Sequence, residues 1–312
     1  MRSDAFEEYL APARAARGFW RPVLGLIIIM GLWVIGMIVV VMGWMLWRWA
    51  ELGNLHGAVE ALGQLGQGGG AEPVVIMLLS FAGIWAGAAV AAVVMHGQAF
   101  GTLFEPAKRI LFSDFGKGVL LAAAFSGLSL LVAMLFIATP VRAQPMGDWL
   151  VLFVPLMALV FIQATGEELI FRGYLLQQLA IRFRSPIAWA ILPSILFGLL
   201  HAGNTDGEAA YYYIAITGIT GVTLAALVWR AGNLWIAVGL HWGVNMSSLT
   251  LVGADGIMAG TQLWLFPAET LMSLLQLNLL SAVALLVLVL SPAGRMLAAP
   301  RRPVFGSERA AE

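Results

Sequence analysis

Apolar residues occur along this chain in long, nearly uninterrupted runs, without the alternation of a strand or the one-sided stripe of a surface helix. A helix needs about 20 mainly apolar residues to cross the hydrocarbon of a bilayer. Runs of that kind lie at residues 23–46, 74–95, 119–139, 149–182, 187–203, 211–229, 234–252 and 271–290. Between them stand residues that interrupt helices, among them Gly68-Gly69-Gly70, Pro106, Pro140, Pro145, Gly203-Asn204, Gly232-Asn233 and Pro267. The pattern predicts an all-α fold, a polytopic transmembrane helical bundle of about eight spans. The first run is too long for a signal-peptide core and no small-residue cleavage site follows it, so it is expected to be retained.

Composition narrows the picture. Of 312 residues, 61% are hydrophobic and only 11% charged, about half the charged share of a soluble domain, which excludes a soluble reading. Formal net charge is zero and no basic cluster suggests nucleic acid. With no cysteine, disulfides, thiolate nucleophiles and cysteine-ligated metals are excluded.

The distribution of Lys and Arg predicts orientation, because basic residues resist translocation. One side of the alternation holds Arg2, Arg14, Arg17, Arg21, Lys108, Arg109, Lys117, Arg182, Arg184, Arg230, Arg295, Arg301, Arg302 and Arg309. The other holds Arg48 and Arg142 with eight acidic residues. The expectation is an integral protein of the plasma (inner) membrane with both termini cytoplasmic. Its parts are a cytoplasmic N-terminal segment (1–22), N-terminal transmembrane helices (23–139), a transmembrane core (149–252) that holds the candidate chemistry, and a last helix with a cytoplasmic tail (271–312). Tryptophans near the ends of the runs, such as Trp20, Trp47, Trp149 and Trp235, suit an interfacial belt or the bundle interior.

One basic residue escapes that tally. Arg172 lies inside the fourth run with Glu167 and Glu168. Ionisable groups in an apolar helix are costly to insert, so they should face a polar interior and have partners. Glu168 and Arg172 are i and i+4 with the acid first, the favourable order for a pair. Glu167, about 100° around the helix, remains for chemistry. The fifth run contains Phe197 and His201, and the seventh contains His241 and Asn245, again i and i+4 on one face. At 1.5 Å per residue, Glu167 lies about 22 Å from Arg182, His201 about 21 Å from Ile187, and His241 about 16 Å from Arg230, depths compatible with one intramembrane site. The fourth run would then be close to 50 Å long, which requires tilt, a kink for which Pro155 is a candidate, or a protruding end. Each cluster has a plainer explanation: an interfacial charge cluster for the acidic pair with Arg172, and interhelical hydrogen bonds for His201 and for His241 with Asn245. Phe197 alone reads as packing.

These residues resemble the motifs of the type II CAAX-prenyl endopeptidase family, the ABI or CPBP intramembrane proteases: Glu-Glu-x-x-x-Arg, Phe-x-x-x-His and His-x-x-x-Asn/Asp on successive helices. All three occur in that order, over about 80 residues from Glu167 to Asn245. The resemblance implies an intramembrane endopeptidase acting on a peptide or lipidated peptide within the lipid bilayer. Glu167 would be the base that activates water, assisted by His201; His241 and Asn245 would stabilise the oxyanion; Glu168 would orient, paired with Arg172. No cofactor is certain, and His201, His241 and Glu167 also form a ligand set suited to a divalent metal such as zinc, although the His-Glu-x-x-His helix of common zinc peptidases is absent. Two other functions bury the same residue types: a proton-coupled transporter, and a catalytically silent scaffold of the same fold.

Overall fold

A computed structural model describes residues 3–16, 18–65, 70–254 and 260–297. Gly68 and Gly69, the basic residues Arg2, Arg17, Arg301, Arg302 and Arg309, and the end of the expected tail lie outside the described residues. Each of the eight apolar runs is largely helical. In chain order the helices are α1 (Asp4–Leu10), α2 (Trp20–Leu52), α3 (Leu55–Leu65), α4 (Glu72–Met95), α5 (Phe112–Phe136), α6 (Met146–Ala180), α7 (Ile187–Leu199), α8 (Glu208–Ala231), α9 (235–251), α10 (Ala268–Leu290) and α11 (Pro292–Leu297). Six of them, α2, α4, α5, α6, α8 and α10, are long and apolar enough to cross a membrane. The two remaining runs form the shorter helices α7 and α9. The expected count of about eight therefore resolves into six full-length helices and two short ones.

Helix α9 is the centre of the molecule. Its residues 235–241 are all buried, as expected of a helix that is apolar on every side. It packs most closely on α5, and also on α6 and α8. Small residues permit that approach. A Cβ on Gly239 would lie 2.1 Å from the Phe115 carbonyl oxygen, and one on Gly118 would lie 2.2 Å from that of Ile236.

Helix α6 is 35 residues long and carries Pro155 within it, and a π-helical turn occupies Leu169–Leu175. Its first turns are fastened to the far end of α9, where Trp149 Nε1 donates to the Thr250 carbonyl at 2.7 Å.

Two features were not expected from sequence. A three-stranded sheet joins connections at one end of the bundle: β1 (Val141–Arg142) runs antiparallel to β3 (Trp264–Phe266), and β2 (Val252–Ala254) runs parallel to it, with Val141 and Gly253 both paired to Leu265. Strands this short show no readable alternation. The N-terminal segment, read as a cytoplasmic leader to the first span, also contains the docked helix α1, whose Phe6, Tyr9 and Leu10 are fully buried.

Candidate active site

Helix α6 presents Gln163, Glu167, Glu168 and Arg172 toward the interior, and the π turn begins directly after Glu168. Turns of this kind widen the helix and are frequent at functional sites. Glu168 has no exposed side-chain surface, and its Oε1 accepts two hydrogen bonds, from Arg172 Nη1 at 2.8 Å and from His241 Nδ1 at 2.8 Å. The i, i+4 pair expected from sequence thus forms, and it has a third member. Arg172 is also buried, with its guanidinium carbon 4.7 Å from the Phe197 ring centroid and 5.6 Å from that of Phe171. Its Nη2 lies against Gly221 of α8, where an added Cβ would be only 2.8 Å away.

Glu167 points to the other nitrogen of the same imidazole. Its Oε2 is 3.4 Å from His241 Nε2, and the side chain keeps 13% of its surface. One turn away, Asn245 Nδ2 donates to Gln163 Oε1 at 2.9 Å. Gln163 and Glu167 are i and i+4 on α6, facing Asn245 and His241, i+4 and i on α9. The two helices therefore meet through two parallel polar contacts.

His201 is set apart. Its Nδ1 is 2.8 Å from the Phe197 carbonyl oxygen, which can only accept, so Nδ1 carries the proton that is donated there. The Phe197 ring stands between the two histidines, with centroids 4.7 Å from His201 and 6.0 Å from His241. The structure thus joins Glu167, Glu168, Arg172 and His241 by direct contact, places Asn245 one turn along, and keeps His201 across an aromatic wedge. Among the described residues no three His, Asp or Glu side chains gather as a group that could hold a metal ion. His201, His241 and Glu167 are accordingly not gathered as three ligands among the described residues.

Two residues of this arrangement were missed or undervalued by sequence reasoning. Gln163 carries no charge, and its only signal was an amide one turn before Glu167 in an apolar run. Phe197, read as packing, does pack, but between both imidazoles and the guanidinium.

Comparison with known proteins bears on this region. Residues 148–247 match the family model for type II CAAX prenyl endopeptidase, Rce1-like. That stretch contains every residue of the constellation above, and the motif resemblance is thereby supported by the family comparison. The protein YyaK of Bacillus subtilis (strain 168), described as uncharacterized, is 32% identical over 91 residues, 29% of this chain. The matched region spans 30% of that relative's length. No solved structure matches.

Proposed function

We propose that this protein is an intramembrane endopeptidase that hydrolyses a peptide bond in a membrane-associated or lipidated peptide, using water activated by Glu167. The observation that carries the reading is the pair of carboxylates on one imidazole: Glu168 Oε1 is hydrogen-bonded to Nδ1 at 2.8 Å, while Glu167 Oε2 lies 3.4 Å from Nε2, buried and without a hydrogen-bond partner among the described residues. Because Nδ1–H donates to Glu168, Nε2 can donate as well only when the imidazole carries a second proton. With that proton on the imidazole, two carboxylates balance one guanidinium and one imidazolium. A neutral cluster is the least costly way to hold four ionisable groups inside a bilayer.

In the proposed reaction Glu167 takes a proton from water as its oxygen adds to the scissile carbonyl. The negative oxygen is met by His241 Nε2–H and by the second N–H of Asn245 Nδ2, whose first is given to Gln163. The proton on Glu167 then passes to the leaving nitrogen as the C–N bond breaks. His201, whose Nδ1 is held by the Phe197 carbonyl, takes the assisting role that the motif resemblance implies. The substrate reaches the site from the bilayer or from the cytoplasmic side, and the protein lies in the plasma membrane with both termini cytoplasmic. A comparison of membrane peptide profiles between cells carrying the wild type and Glu167→Ala tests the reading. Substrate peptides should accumulate uncut in the variant; identical profiles would count against it.

A further inference from the structure

Helix α1 lies outside the matched region 148–247, yet it reaches the site. Ser3 caps it, accepting from the Phe6 N–H at 3.3 Å and donating to the Trp229 carbonyl of α8 at 3.3 Å. The Phe6 ring packs on Trp189 of α7 at 5.1 Å. Tyr9 goes deeper. Its ring is fully buried, and its hydroxyl is 2.7 Å from the Leu103 carbonyl oxygen and 3.1 Å from that of Arg172. Both atoms are acceptors, so the single hydroxyl proton is shared between them.

The backbone explains why Arg172 offers its carbonyl. In an α-helix it would receive the Leu176 N–H. Here that N–H goes to Phe171, five residues back, because the turn is π-helical. Tyr9 replaces the donor that the widened turn has diverted. The connection that carries Leu103 lies directly against the same turn: a Cβ on Gly173 would be 3.4 Å from the Leu103 carbonyl oxygen, and Gln177 Nε2 donates to the Thr102 carbonyl at 3.0 Å. From Arg172 the constraint passes through the guanidinium to Glu168, and from Glu168 to His241 and Glu167.

We infer that α1 is a working part of the site and that Tyr9 is a positioning residue, holding the π turn so that Arg172 and Glu168 fix the imidazole of His241. Its effect on turnover rests on the peptidase reading; its effect on the π turn does not. If Tyr9 served only to fill space, a hydroxyl against two carbonyls would be unnecessary, because phenylalanine fills almost the same volume.

The test compares the full chain in bilayer nanodiscs as wild type, Tyr9→Phe and Phe6→Leu. Amide hydrogen exchange is read over 169–177, and cleavage of an extracted membrane peptide fraction is read at limiting and saturating concentrations. Tyr9→Phe keeps the packing and takes the hydroxyl away from two buried carbonyls, so exchange over 169–177 should quicken about tenfold while α5 and α10 stay unchanged. The saturated cleavage rate should fall by a similar factor with the half-saturating concentration unmoved. Phe6→Leu loosens α1 without touching the hydroxyl, and should lower thermal stability while leaving exchange over 169–177 near that of wild type. Unchanged exchange in Tyr9→Phe, or acceleration spread evenly over the bundle, overturns the inference. Acceleration confined to 169–177 in a protein that cleaves nothing supports the placement of Tyr9 and counts against the peptidase reading alone.

Discussion

Removing Arg172 should be the most damaging single change near the site, and the structure says by how much. In Arg172→Met the carboxylate of Glu168, which has no exposed surface, loses its guanidinium partner at 2.8 Å. Breaking a buried ion pair by deleting one partner costs about 3–5 kcal/mol, because the remaining charge is left uncompensated. The stacking of the guanidinium on Phe197 at 4.7 Å adds about 1–2 kcal/mol at a desolvated site. His241 still donates to Glu168 Oε1 at 2.8 Å and, when protonated, offsets part of the loss. The expected net cost is therefore about 3 kcal/mol, the lower end of that range. Removing both charges together in Glu168→Gln/Arg172→Met strands neither, so the double variant should be more stable than Arg172→Met by about 1–2 kcal/mol. Unfolding in mixed detergent, followed by tryptophan fluorescence, measures all three proteins. The reasoning fails if Arg172→Met is as stable as wild type, or if the double variant is less stable than the single one.

Other predictions concern the opposite helix, the end of α4 and the topology. Asn245→Ala should lower the catalytic rate about 10²–10³-fold with little change in substrate affinity, as the loss of one oxyanion donor does; a weakened affinity at unchanged rate would remove it from that role. His96, just past α4, has its pKa pushed down to about 4 by burial, partly opposed by the backbone of Ala16, with Arg182 and Arg21 lowering it further. The unfolded chain therefore binds more protons than the folded one between pH 6.5 and about 4, and stability should fall as pH drops through that window. Melting curves at pH 7.5 and 5 should show a smaller loss for His96→Gln than for wild type, and equal losses would contradict this. Cysteine-accessibility labelling should find both termini and the connection around Lys108 on the cytoplasmic face; termini on opposite faces would remove the proposed orientation.

What sequence reveals here depends on whether a feature is local. The Glu168–Arg172 pair was readable because helical spacing alone brings i and i+4 together. The apolar runs were readable because a bilayer demands them. The shorter length of α7 and α9 was largely readable as well, since their runs, 187–203 and 234–252, exceed the helices 187–199 and 235–251 by only a few residues. The π turn at Leu169–Leu175 is met by a donor from a distant segment, Tyr9, and no spacing rule announces it. His241 and Asn245 share a face as expected, but the structure gives them separate partners, Glu168 with Glu167 for one and Gln163 for the other. The docking of α1 was not readable, because three apolar residues, Phe6, Tyr9 and Leu10, among the charges of Asp4, Glu7 and Glu8 are too short a stripe to announce a buried helix.

The account stands most directly on whether water is added to a peptide bond by way of Glu167. Purified wild type in bilayer nanodiscs, incubated with extracted membrane peptides in ¹⁸O-water, should yield products whose new C-terminal carboxylates carry the heavy oxygen. Glu167→Gln, equally folded, should yield none above background. Products labelled to the same extent in both proteins, or in neither, would contradict the assignment of Glu167 as the base of an intramembrane peptidase.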